Sequence, residues 1–96
     1  MSSPVYRGPA LLLADGREIR VEAELTGDLP RYGLPSWTGT LQGRDPQLSS
    51  GAIRRGRLRL PSGWEGGFAV IRTVLGVSTV WVRGNDQEAS PAEWPA

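Results

Sequence analysis

Asp15-Gly16 stands between two runs of alternating character, "YRGPALLLA" and "REIRVEAELTG", and no other feature constrains the fold as tightly. Asp-Gly tolerates the positive φ angles of a type I′ turn, so the two runs pair directly as antiparallel strands. With Ala14 opposite Arg17, Leu12 faces Ile19 and Ala10 faces Val21, on one side with Ala23 and Leu25. That side is the expected core, because side chains alternate across a strand and the pairing register decides which set is buried. On the other side Leu11 and Leu13 lie opposite Arg20 and Glu18. Apolar groups there face solvated ones, so this strand needs a bulge or a cover.

The rest of the chain repeats the β pattern. "DLPRYGLPS" reads as a loop, and "WTGTLQG" as a third strand with Trp37, Gly39 and Leu41 on one face and Thr38, Thr40 and Gln42 on the other. "RDPQLSSGA" is a second long loop or helical turn. "RRGRLRL" follows as a fourth strand, "PSGWEG" as a turn, "GFAVIRTVL" as a fifth strand with apolar residues on both faces, and "VSTVWVRG" as a sixth. Trp37 and Trp81 are expected in the core. No stretch of ten or more residues has a helical period, and no internal repeat is visible. The 13 glycines and 8 prolines fall between short apolar runs, as turn punctuation.

Ninety-six residues enclose one core. The expected fold is all-β, a six-stranded antiparallel meander closing into a small barrel that removes unpaired edges; a two-sheet sandwich is the alternative. Residues 1–84 form this single domain. Residues 85–96 are polar and read as a loose C-terminal tail in which Trp94 is able to dock.

Several chemistries are excluded by residue type. There is no cysteine and no histidine, so disulfides, thiolate catalysis, Cys-ligated metal sites and imidazole acid-base chemistry are absent. All 11 basic residues are arginine, a bias that GC-rich coding explains, and without lysine a serine or threonine nucleophile has no base. Glu18, Glu22 and Glu24 alternate on the solvent face of the hairpin, unlike paired acids flanking a cleft. Asp28, Asp45 and Asp86 sit on separate loops without calcium-loop spacing. Neither GxGxxG nor GxxxxGK[ST] occurs. The expectation is no catalytic residue, no metal and no cofactor.

No apolar run reaches the roughly 20 residues of a helical membrane span, and "MSSPVYRGP" lacks the charged and apolar regions of a signal peptide. A cytoplasmic location without membrane contact is the expectation. The formal charge of +1 provides no overall field toward nucleic acid, and nucleic acid is not an expected partner.

The arginine-rich strand is the first candidate surface. Arg55, Arg57 and Arg59 point one way while Gly56, Leu58 and Leu60 point the other, a basic stripe of about 13 Å. It can grip an anion, or pair with acids such as Glu18, Glu22 and Glu24 on a neighbouring strand at about 0.2 to 1 kcal/mol each; the paired, solvated face is the favoured reading. "RGRLR" at 55–59 and "DPQLSSG" at 45–51 share elements with the cyclic-dinucleotide motifs of PilZ barrels, but their order is reversed and the serine-to-glycine spacing is one residue short. They are not a match. Trp64, on a turn, and Tyr32, in a Pro-flanked loop, are aromatic groups that packing does not obviously require. Together with Leu11 and Leu13 they are the candidates for an interface.

"YRGPALLLADGREIRVEAEL", "SWTGTL", "LRLPSGWEGGF" and the later "VRG" occur in the order in which a small actinobacterial β domain of unknown function carries them, and residues 5–84 resemble that family. The family also occurs attached to flavin-dependent monooxygenase-like proteins. The resemblance implies an accessory β domain without a catalytic role of its own, and carries over no functional residues. Two functional expectations stand. One is a non-catalytic interaction or accessory module that forms a homodimer, or binds another protein, through an apolar outer face. The other is a barrel that binds a small anionic ligand, its mouth formed by loops 27–36 and 43–52, with Arg31, Arg44, Arg55, Arg57 and Arg59 as the candidate groups.

Overall fold

The computed structural model describes residues 4–85 and 90–94. The leading hairpin forms in the expected register: β1 (Val5–Ala14) and β2 (Arg17–Asp28) pair with Leu12 opposite Ile19 and Ala10 opposite Val21. Asp15 and Gly16 have φ of 52° and 74°, the two positive angles that a type I′ turn requires. Burial along β2 alternates without a break from Glu18 to Asp28, the signature of a strand with one face in a core.

Four more strands follow: β3 (Ser36–Gln42), β4 (Arg55–Arg59), β5 (Glu65–Thr73) and β6 (Thr79–Gly84). All pairs are antiparallel and the sheet closes on itself as a six-stranded barrel in the order β1-β2-β3-β6-β5-β4. The all-β barrel therefore forms as expected, while its strand order refines the simple meander. β3 pairs with β6 and β4 returns to β1, so the link from β3 to β4 crosses an end of the barrel. That link carries α1 (Gln47–Ser50), a single helical turn ended by Gly51 at φ 77°, where a left-handed residue suits glycine.

Crossing the end lets the link plug it. Leu48 and Ile53 are fully buried, and backbone bonds from Gly43 to Ser78 and from Gly76 to Ser49 tie the link to the β5–β6 hairpin. Asp45 anchors its start: one carboxylate oxygen accepts from the Gln47 amide at 2.9 Å, and the other meets the Arg17 guanidinium at 3.1 Å. Between the ends the interior is filled by Leu12, Leu25, Leu41, Leu58, Phe68, Val80 and Val82, as in other barrels of this size.

The opposite end is closed by tryptophan. Trp37, Trp64 and Trp94 meet edge to face, with ring centroids 5.8, 6.2 and 5.7 Å apart, the arrangement that aromatic quadrupoles favour. Trp94 arrives on a short 3-10 helix, Pro91–Glu93. The reading of a loose tail is thus corrected for residues 90–94, which pack into the barrel end; residues 86–89 and 95–96 of that tail, with Asp86, lie outside the described residues. Trp81 is also corrected. It sits on the outer face of β6 between the buried Val80 and Val82, half-covered by the Arg72 guanidinium 4.9 Å from its ring.

Candidate functional site

Arg55, Arg57 and Arg59 lie on the outer face of β4 while Leu58 points inward, as strand alternation requires. Two of the three share one acid. Arg57 Nε donates to Glu65 Oε1 at 2.7 Å and Arg59 Nε donates to Glu65 Oε2 at 3.1 Å, because the β4–β5 register sets Arg59 directly opposite Glu65. These bonds hold the Glu65 carboxyl below its ordinary pKa. Among the described residues this acid comes from β5, and not from Glu18, Glu22 or Glu24, which are exposed on β2. The stripe is a partly neutralised face with Arg55 at its end.

The expected mouth does not assemble. Loop 27–36 leaves the barrel at the tryptophan end and loop 43–52 at the end plugged by Leu48, with β3 between them. A strand of this length spans about 20 Å. Arg31 and Arg44 consequently stand at opposite ends and cannot hold one small ligand.

The interface candidates divide in the same way. Trp64 is buried, only 8% exposed, and its indole N–H donates to the Ser90 carbonyl at 3.0 Å. The turn does not display it; the C-terminal segment covers it, a contact that local sequence does not signal. Leu11 and Leu13 are half-buried on the outer face. They are flanked by Arg20 and Glu18 on β2 and by Arg59 and Arg57 on β4, whose aliphatic stems can lie along apolar surface. Lateral neighbours thus resolve the mismatch that the hairpin alone presents.

Tyr32 is 86% exposed, beside Leu34 at 60% and Leu29. A second apolar group stands at the other end, as the apolar residues on both faces of the fifth strand lead one to expect: Ile71, Leu75 and Val77 are exposed on and beside the β5–β6 hairpin. A register shift between Val70 and Arg72 breaks the alternation of β5 there, and Gly76 at φ 83° marks the turn.

An open groove of about 880 Å³ crosses the outer face of the β1–β2 hairpin. Leu11 lies in it between Arg20 on one side and Arg59 on the other, and Arg44 reaches it from the end of β3. Beside it the Tyr6 hydroxyl donates to the Pro9 carbonyl at 2.6 Å. Partial burial and the nearby Glu22 carboxylate raise the Tyr6 pKa, so the phenol stays protonated near neutral pH and is a donor, not a base.

Among the described residues no three acidic, histidine or cysteine side chains converge in a way that could hold a metal, and no helix is long and apolar enough to cross a membrane. Comparison with protein-family models, with curated proteins and with solved structures finds no match to this chain.

Proposed function

We propose that this chain is a non-catalytic interaction or accessory module that self-associates through apolar groups on its outer surface. The observation that carries the reading is Tyr32, which is 86% exposed in a Pro-flanked loop and adds nothing to the core. Large amphipathic side chains in such positions are the groups that anchor interfaces. Leu29 and Leu34 beside it extend the apolar surface, whereas Leu11 and Leu13 lie among arginines and Trp64 is occupied by the fold. An accessory place beside a larger enzyme, as the resemblance to the actinobacterial domain implies, fits a chain with no histidine, cysteine or lysine. The same reading places the module in the cytoplasm and gives it no nucleic-acid partner, since Glu65 already engages two arginines of the stripe.

Light scattering behind size-exclusion chromatography tests the proposal. A concentration-dependent dimer is expected, and Tyr32→Ser with Leu34→Ser should return it to monomer without changing the unfolding midpoint. A strict monomer at high concentration would overturn self-association.

A further inference from the structure

We propose that the groove over Leu11 binds the carboxylate of a small aliphatic acid. It uses a surface different from the Tyr32 loop and does not rest on self-association. The β1 pairings set Leu11 directly between Arg20 and Arg59, which places the two arginines about 10 Å apart at their Cα atoms, two inter-strand steps. Arg44 closes the same groove from the end of β3. Arg59 is engaged by Glu65, but among the described residues Arg20 and Arg44 have no hydrogen-bond or ion-pair partner, and both are exposed. Two guanidinium groups are thus available to an anion at the edge of an apolar floor.

The lining selects the rest of the ligand. Pro9, Leu11 and Pro61 supply aliphatic surface, and no aromatic side chain lines the groove. A nucleotide would find charge but no stacking platform for its base. Glu22 shares the groove with the arginines, so a doubly charged phosphate would meet a like charge that a monoanion tolerates better. A carboxylate on an aliphatic body satisfies both features: the planar fork of arginine matches its two oxygens, and the body covers Leu11. The volume lies within the range of small-molecule sites.

Amide NMR titration of the full chain with octanoate, 1-octanol and inorganic phosphate tests this, in the Tyr32→Ser, Leu34→Ser background so that dimer formation does not enter. Octanoate should give saturable shifts at residues 9–11, 20–22, 42–44 and 59–63, and phosphate none. Arg20→Gln with Arg44→Gln should weaken octanoate binding about tenfold, roughly 1.4 kcal/mol, with the unfolding midpoint unchanged. Octanol shifts equal to those of octanoate and indifferent to the double substitution would overturn the proposal, leaving only an apolar patch. Saturation by phosphate as tight as by octanoate, or no saturable shift with octanoate, would overturn it as well.

Discussion

The Trp64 indole N–H donates to the Ser90 carbonyl at 3.0 Å, and this one bond joins the β4–β5 turn to the C-terminal segment. Ser90 also starts the short 3-10 helix, its hydroxyl accepting from the Ala92 amide at 3.2 Å. Trp64 therefore holds the residue that delivers Pro91 and Trp94 to the barrel end. A segment that reads as a tail is a structural plug.

Trp64→Phe keeps a ring in the cluster and removes the donor, so it should cost about 0.5 to 1.5 kcal/mol, the net worth of one hydrogen bond. Trp64→Ala also empties the cluster and should cost about 3 to 5 kcal/mol. Urea unfolding measures both. Deleting residues 90–96 should destabilise the chain and red-shift its tryptophan fluorescence, as Trp37 and Trp64 lose their cover.

Gly84 lies against the ring of Trp37, where a β-carbon would collide with Nε1 and Cδ1. Gly84→Ala should therefore cost about 1 to 3 kcal/mol through overpacking. Combining it with Trp37→Phe should recover part of that loss, because the smaller ring gives the methyl group room. A double-mutant cycle on unfolding free energies reads the coupling directly.

Glu65 has its pKa lowered by the hydrogen bonds from Arg57 and Arg59, so the folded state favours its charged form. The associated stability is fully present above the unfolded glutamate value of about 4.3 and is lost as pH falls through the lower folded value. Glu65→Gln should flatten the acid limb of a thermal-stability profile below about pH 4.3. At neutral pH its cost should be no more than about 1 kcal/mol, since the arginines are half-exposed.

Gly16 at φ 74° has open space where a β-carbon would sit. Any loss in Gly16→Ala is then a backbone effect alone, expected at about 1 to 2 kcal/mol for a left-handed conformation. Asp15→Asn, which also tolerates that region, should leave the melting temperature nearly unchanged.

Local pattern decides what is legible without coordinates. The Asp15-Gly16 turn dictates the hairpin register residue by residue, and alternation places Leu58 inside and Arg55, Arg57 and Arg59 outside on β4. Both follow from short-range geometry: a two-residue turn admits one pairing, and a pleated strand has a period of two. The same rule misplaces Trp81, because an aromatic residue in a strand is not inward unless its phase is. Val80 and Val82 hold the inward phase of β6, and Trp81 falls on the outside.

The tertiary structure alone decides which distant segments meet. Strand order around the barrel, the separation of Arg31 from Arg44 by the length of β3, and the burial of Trp64 under residues 90–94 all depend on where a loop crosses or a terminus docks. Turn residues do not encode those choices. They are made by burial of apolar surface, which rewards any segment able to close the barrel's open ends, and here Leu48 and Ile53 close one end and three tryptophans the other. The groove over Leu11 has the same origin, since Arg20 on β2, Arg59 on β4 and Arg44 in the loop after β3 are brought side by side only by barrel closure and register.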